Sequence, residues 1–151
     1  MARFDNQVAG NGPDTVDIVT TMSDQVMDQI LTPFVSWLEK NESLHIGAKM
    51  ALRLILEELL ANTVMHSGAD DGTEIRLSVS LIREGVSIHF RDCGVAFNPV
   101  TDLPQDSREN DMDDRPVGQL GWPLILSYCS ITGYERKDDQ NRLSLLFRYA
   151  G

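Results

Sequence analysis

Three polar residues in the middle of an apolar segment have side chains suited to acid–base and metal chemistry. Glu58, Asn62 and His66 recur every four residues, so at about 100° per residue they fall within one arc of a helix. A carboxylate and an amide one helical turn apart can provide a general base and an oxygen ligand for a metal ion. The helix alone also fits an internal hydrogen-bonded polar pair or a stripe of side chains that faces water.

Two glycine-containing segments further along the chain could bring backbone close to a ligand. Asp92 leaves a predicted strand and is followed by Gly94, a pattern that can hold a polar edge of a ligand but also describes an ordinary Asx-turn. Gly118 and Gly121 directly precede a predicted helix, where free backbone N–H groups and the positive end of the helix dipole favour phosphate. The same two glycines would suit a flexible connection into that helix.

Other familiar catalytic patterns are missing from the sequence. It contains no G-x-x-x-x-G-K-[ST] or G-x-G-x-x-G phosphate loop, no C-x-x-C pair and no G-x-S-x-G nucleophile turn. The three histidines, His45, His66 and His89, are scattered and have no metal-ligand spacing. Familiar nucleotide-binding and hydrolase motifs are therefore absent.

Length and charge restrict the class of protein further. A chain of 151 residues with a net charge of −10 can bury the core of one domain but lacks the basic face that binding a phosphate backbone requires. No apolar run reaches the roughly 18 residues of a membrane span, and residues 1–12 lack the features of a signal peptide. Two cysteines do not suggest a disulfide scaffold. We therefore expect a cytoplasmic protein that binds neither nucleic acid nor membrane.

Hydrophobic periodicity predicts the elements that position these residues. Alternating apolar residues predict strands, and apolar residues at intervals of three and four predict helices. The predicted order is a strand at 14–21, a helix from a Ser23 cap to Lys40 that Pro33 kinks or splits, a helix at 47–65, paired strands within 75–90, a helix at 122–130, and a hairpin of 134–137 with 142–149 around a turn at 138–141. This order predicts an α+β fold, a two-layer α/β sandwich with a mixed, mostly antiparallel sheet and helices on one face.

Two segments carry no periodicity. Residues 1–13 are small and polar, so we expect a disordered tail ahead of one domain at 14–151. Residues 98–117 contain six acids and two arginines without a helical or strand pattern. A structureless stretch of about 20 residues inside a compact domain is usually a functional lid or a disordered segment.

The order of the polar groups resembles a known ATPase superfamily, the GHKL ATPases, which include gyrase, histidine kinases and a heat-shock chaperone. The three matching boxes are E-x-x-x-N (Glu58, Asn62), D-x-G (Asp92, Gly94) and G-x-x-G (Gly118, Gly121). Within that superfamily the chain is similar to the short, stand-alone anti-sigma-factor serine kinases of bacterial partner-switching systems. The further matches are F-N-P at 97–99, R-P-V-G-Q-L-G at 115–121, Y-E-R-K at 134–137 and L-S-L at 143–145, and the resemblance covers residues 14–149.

The resemblance implies a role for each matched position. Glu58 would be the catalytic base that activates the attacking hydroxyl, and Asn62 would hold Mg²⁺ between the phosphates of ATP. Asp92 would accept a hydrogen bond from the adenine amino group. Ser144 stands where the family has a threonine near adenine, and Arg115 would reach the phosphates. The full set of implied cofactor-binding positions is Asn62, His66, Asp92, Gly94, Ala96, Arg115, Gly118, Gly121 and Ser144.

The resemblance implies an ATP-binding serine/threonine protein kinase that acts as an anti-sigma factor. It would form a homodimer, sequester a sigma factor or another regulatory protein, and phosphorylate a serine of a STAS-type antagonist. Gln119 and Pro123 depart from the family pattern, and they motivate an alternative, a nucleotide-binding switch module that regulates a protein partner without phosphoryl transfer. A metabolic enzyme of the same sheet class is a third hypothesis.

Overall fold

The computed structural model describes residues 14–103 and 121–148, together with the backbone of Gln7–Val8. The elements in chain order are β1 (Gln7–Val8), β2 (Thr15–Thr21), α1 (Val26–Lys40), α2 (Ile46–His66), β3 (Glu74–Ile82), β4 (Gly85–Asp92), α3 (Gly121–Tyr128), β5 (Cys129–Lys137) and β6 (Gln140–Arg148). None of the helices in the described ranges is long and apolar enough to cross a lipid bilayer. Arg115, Gly118 and residues 104–117 of the expected lid lie outside the described residues.

One sheet with helices on one face confirms the predicted α+β class. The strand order is β1-β2-β3-β4-β6-β5, and every pairing between the described strands is antiparallel. The inner face of the sheet carries alternating buried side chains that pack against the helices. One row of register partners across four strands is Ile18, Leu77, Phe90 and Leu143, all of them buried.

The opposite surface of the sheet, called the outer face here, is polar. Two neighbouring cross-strand rows define it: Asp17, Ser78, His89 and Ser144 in one, and Arg76, Arg91 and Arg142 in the other. These side chains are half-buried or exposed, and no described helix packs over them. The sheet therefore separates an apolar interior from a surface that is rich in hydroxyl and guanidinium groups.

The helix α2 is buried on several sides, and its polar residues lie on both its exposed and its buried sides. His45 caps its first turn, because the His45 Nδ1 accepts a hydrogen bond from the Ala48 N–H at 3.1 Å. Ser67 caps its end and is followed by Gly68, which has a φ of +63°. On its exposed side, Arg53 Nε lies 3.0 Å from Glu57 Oε1. Asn62 is buried, so its side of the helix faces the interior.

The first predicted helix begins later than expected and is not split. Ser23 does not cap it: its Oγ accepts the N–H of Gln25 at 3.1 Å in a tight turn, and α1 begins at Val26. The helix continues through Pro33 to Lys40 as one element.

Strand boundaries differ from the prediction in two places. The C-terminal hairpin is longer, because β5 begins at Cys129 and the turn comprises only Asp138 and Asp139. The predicted α3 therefore ends at Tyr128 rather than at residue 130. Gln7–Val8 lie in the segment that we expected to be disordered, and they pair with β2 as a short edge strand. The other residues of 1–13 lie outside the described residues.

Candidate functional site

A cavity of about 340 Å³ opens between the C-terminal half of α2, the inner face of β4 and β6, and the start of α3. Its walls are mostly apolar, with a small number of polar side chains, which is typical of a small-molecule site. The polar lining residues include Asn62, Thr63, His66, Asp92, Tyr134 and Asn141. Three of the predicted site residues, Asn62, His66 and Asp92, therefore line the same cavity.

Asp92 presents one carboxylate oxygen to this cavity and anchors the other. Its Oδ1 accepts the Gly94 N–H at 2.8 Å and Asn141 Nδ2 at 3.1 Å. Its Oδ2 accepts no hydrogen bond from any described residue, although only 8% of the residue is exposed. A carboxylate held in this way can accept a hydrogen bond from an N–H donor of a ligand.

The turn after β4 requires glycine at position 94 for a packing reason. A Cβ at Gly94 would lie 2.6 Å from the carbonyl oxygen of Ser67 and 2.5 Å from its Cβ. The turn is tied to the end of α2 by the Val95 N–H, which donates to Ser67 O at 2.7 Å, and to β5 by Arg136 Nη1, which donates to Gly94 O at 2.7 Å. Gly94 thus lets the D-x-G turn close against α2, and the Asx-turn of Asp92 is part of the same arrangement.

Asn141 is a buried site residue that the sequence analysis missed. Its Nδ2 donates to Asp92 Oδ1 and, at 2.8 Å, to Val95 O. Its Oδ1 accepts the Phe97 N–H at 3.1 Å and the Tyr134 hydroxyl. The sequence placed Asn141 in a hairpin turn because it ends a run of polar residues, whereas it lies in β6 opposite Asp92.

Glu58 and Asn62 converge on the backbone at the first residue of α3. A Cβ at Gly121 would lie 2.8 Å from Asn62 Nδ2 and 2.9 Å from Glu58 Oε2. Asn62 Nδ2 is buried and has no hydrogen-bond partner among the described residues. The structure thus brings three predicted residues together, with a carboxylate and an amide beside an N-terminal helix residue that has no side chain.

Other predicted positions lie differently. Ser144 is on the outer face, where its Oγ is 2.9 Å from His89 Nδ1, and this corrects its expected place beside the ligand. On β6 the cavity is lined instead by Asn141 and Leu143, because successive side chains of a strand point to opposite faces. Ala96 is exposed and does not line the cavity.

An aromatic pair forms a further wall that the sequence did not predict. The rings of Phe97 and Trp122 have centroids 5.9 Å apart and are tilted by 40°, and both residues line the cavity. Trp122 is the second residue of α3, so the pair joins the loop after β4 to that helix. Such walls suit a planar, apolar ligand face.

Metal binding by protein side chains alone has no support within the described ranges. They contain no group of three or more histidine, cysteine, aspartate or glutamate side chains that could hold a metal ion. A divalent cation at this site would need further ligands from a bound molecule.

Comparisons with known proteins bear on the family of this chain. The family model of the histidine kinase-like ATPase domain matches residues 22–147. A relative named Serine/threonine-protein kinase BtrW, from Bordetella bronchiseptica, is 30% identical over 98 residues, which cover 64% of this chain and 68% of that protein. No solved structure matches the chain at a significant level. Since the matched range contains α1 to β5, most of β6 and the whole described cavity, the chain belongs to the histidine kinase-like ATPase family.

Proposed function

We propose that this protein is an ATP-dependent serine/threonine protein kinase that works as an anti-sigma factor in a bacterial partner-switching system. Membership of an ATPase family implies that it binds ATP. The name of the Bordetella bronchiseptica relative supports kinase activity. The observation that carries the proposal is the convergence of Glu58 and Asn62 on Gly121 at the edge of a cavity that also contains Asp92.

The cavity suits the base of ATP. Asp92 Oδ2 accepts the adenine amino group, because this oxygen has no partner in the described chain while Oδ1 is held by Gly94 and Asn141. The ring lies against the apolar wall that contains Phe97 and Trp122. Selectivity for adenine over guanine follows, since a carboxylate accepts an amino proton but repels a carbonyl oxygen.

The residues near Gly121 fit a Mg²⁺ ion that binds together with the phosphates. Mg²⁺ takes oxygen ligands and usually combines one or two protein groups with substrate phosphates. Asn62 would be the protein group through its amide oxygen, since the side chain is buried beside the cavity and its Nδ2 has no hydrogen-bond partner among the described residues that fixes the amide in another orientation. When bound, Mg²⁺ would supply charge neutralisation for the phosphates during transfer.

Glu58 is the base in the proposed reaction. Its carboxylate is half-buried and reaches the start of α3, one helical turn from Asn62. The serine oxygen of the target forms a bond to the γ-phosphorus of ATP while the bond from that phosphorus to the β–γ bridging oxygen breaks, so ADP leaves. The serine proton passes to the Glu58 carboxylate.

Single-turnover transfer of labelled γ-phosphate to a purified STAS-domain protein tests the proposal. We expect transfer by the wild type and its loss in Glu58→Gln. Glu57→Gln is the matched control, because Glu57 lies next in the same helix but on the exposed side, paired with Arg53. Undiminished transfer by Glu58→Gln would contradict the role of Glu58 as the base. Binding of ATP by the wild type without any transfer would favour the switch module.

Binding is measured separately by thermal unfolding with Mg-ATP. At a ligand concentration of about 100 times Kd, the free energy of unfolding should rise by about 2.7 kcal/mol. Asn62→Ala should lose most of this gain. A wild-type protein whose unfolding temperature does not respond to millimolar Mg-ATP would contradict the proposed nucleotide site.

The proposed partners are a STAS-type antagonist and a sigma factor or another regulatory protein, with the kinase acting as a homodimer in the cytoplasm. The family resemblance supports them. Sedimentation of the protein alone and with a candidate STAS partner measures both the dimer and the complex. A monomer that does not associate with any STAS protein encoded beside its gene would contradict this part of the proposal.

A further inference from the structure

The outer face concentrates positive charge in an acidic protein. Arg76 and Arg91 are direct cross-strand partners, and so are Arg91 and Arg142. The chain has 13 basic residues against 23 acidic ones, yet three of its arginines occupy one row across three adjacent strands. Like charges directly opposite each other destabilise a sheet, so this row costs stability unless an anion compensates it.

The carboxylates near this row of arginines do not form close, hydrogen-bonded ion pairs with it. Arg76 Nε lies 3.6 Å from Asp17 Oδ1, and Arg142 Nη2 lies 3.6 Å from Asp138 Oδ2, both beyond a good hydrogen bond. Arg91 forms no ion pair with any described residue. The Nε atoms of Arg76 and Arg142 are buried without a hydrogen-bond partner in the described part of the chain, which is unusual for such strong donors.

A histidine that contacts two serines leaves one further hydrogen-bond donor beside the row of arginines. His89 Nε2 is 3.1 Å from Ser87 Oγ, and His89 Nδ1 is 2.9 Å from Ser144 Oγ. In either neutral tautomer the imidazole accepts from one serine and donates to the other, so one hydroxyl keeps its proton for another acceptor.

A depression of about 340 Å³ over β4, β6 and β5 brings two arginines of the row together with the histidine and one of its serines. It is lined by Arg91, Arg142, His89 and Ser144, and it has room at Gly133, where a Cβ would meet nothing closer than 3.9 Å. The only carboxylate in its described lining is Glu135, so the formal charge of the lining with neutral His89 is +1 (2 − 1).

We propose that this depression is a binding site for a phosphate-class oxyanion. Two guanidinium forks and a serine hydroxyl offer more donors than the two oxygens of a carboxylate can use, whereas a phosphate presents three or four oxygens. The site lies on the sheet surface opposite the nucleotide cavity and does not depend on the proposed kinase activity. Free phosphate and a phosphorylated side chain of another protein present the same oxyanion.

Nuclear magnetic resonance of the arginine Nε–Hε groups in the full-length protein tests the proposal. Titration with inorganic phosphate at constant ionic strength should move the signals of Arg91 and Arg142 to saturation and leave Arg53 unchanged. The double variant Arg91→Gln with Arg142→Gln should bind phosphate at least about tenfold more weakly, read at the His89 ring. The matched control, Lys40→Gln with Arg53→Gln, loses the same charge at exposed helical positions and should bind like the wild type.

A phosphoserine peptide and its unphosphorylated twin distinguish the two sources. Tighter binding of the phosphopeptide than of phosphate at the same arginines assigns the site to a phosphorylated protein, and the reverse assigns it to free phosphate. The proposal would be overturned if chloride produces the same shifts, or if phosphate produces no saturable shift. It would also fail if both double variants lose the same amount of phosphate affinity. It would also be overturned if phosphate has no effect and the Arg91/Arg142 variant converts a dimer into monomers, because the face would then be a contact between copies.

Discussion

Asn141 holds the candidate site together through four hydrogen bonds to three separate segments. It joins Asp92 at the end of β4, Val95 and Phe97 in the following loop, and Tyr134 in β5. Both amide hydrogens and both acceptor positions are used, so the side chain has one orientation. That orientation fixes Asp92 Oδ1 and leaves Oδ2 for a ligand.

Replacing Asn141 with alanine should therefore damage both stability and ligand binding. We expect Asn141→Ala to lower the free energy of unfolding by about 1–3 kcal/mol, because several buried polar groups lose their partner. Urea denaturation measures the loss. Gln140→Ala, one residue earlier and half-exposed, is the control and should stay within about 0.5 kcal/mol of the wild type. Equal losses in the two variants would contradict the role of Asn141.

Some of the predicted residues line the cavity and others do not, for a geometric reason. Asn62, His66 and Asp92 could be predicted because helical spacing and the end of a strand place them without knowledge of partners. Ser144 could not, since its position depends on register: one residue in a strand moves a side chain to the other face of the sheet. Asn141 was missed because polar residues before a strand look like a turn.

Hydrophobic periodicity predicted the elements correctly where only one face of the element is buried. β3 and β4 alternate between buried residues and residues that are half-buried or exposed, so their pattern alone predicted the hairpin. The start of β5 was missed, because Cys129–Gly133 alternates weakly and contains a register shift at Gly133. The helix cap at Ser23 failed because serine can also close a local turn before a helix begins.

The turn between β5 and β6 stores strain that a substitution can relieve. Asp138 and Asp139 have φ values of +54° and +59°, the left-handed pair that a two-residue hairpin turn demands. Glycine adopts this conformation without steric cost, so Asp139→Gly should raise the free energy of unfolding by about 1 kcal/mol. Thermal unfolding should show a midpoint about 2–4 °C higher.

The matched control for this turn is Asp71→Gly, which also replaces an exposed aspartate with glycine and removes the same charge. Asp71 has no positive φ, so this change should give no gain in stability. If Asp139→Gly lowers the unfolding midpoint as much as the control does, the conformational explanation is wrong.

The reactivities of the two cysteine thiols should distinguish the native molecule from the unfolded one. Burial raises the pKa of the Cys129 thiol from 9.0 to about 12, because the charged thiolate is disfavoured away from water. At pH 8 this thiol is protonated and covered, so it should react with a disulfide reagent only when the molecule unfolds. Cys93 is half-exposed and should react in the native state.

Ellman's reagent at pH 8 should therefore give one fast and one slow phase. Cys93→Ser should remove the fast phase, and Cys129→Ser the slow one. Since the slow phase tracks global opening, Mg-ATP should slow it further if it stabilises the fold. Two thiols that react at the same native rate would contradict the expected burial of Cys129.

The pairing of β2 with β3 sets an order for the folding reaction. Thr15 and Ser80 are register partners although they are 65 residues apart, with both long helices between them. Turns of two residues close the β3–β4 and β5–β6 hairpins, so we expect these to form early and β2 to join later, after a costly loop closure. Asp92 belongs to one hairpin and Asn141 to the other, and the ligand cavity thus comes into existence only when the two hairpins meet. Nucleotide in the folding medium should therefore bind and stabilise only late, nearly complete folding intermediates. It should have no effect on the early hairpins.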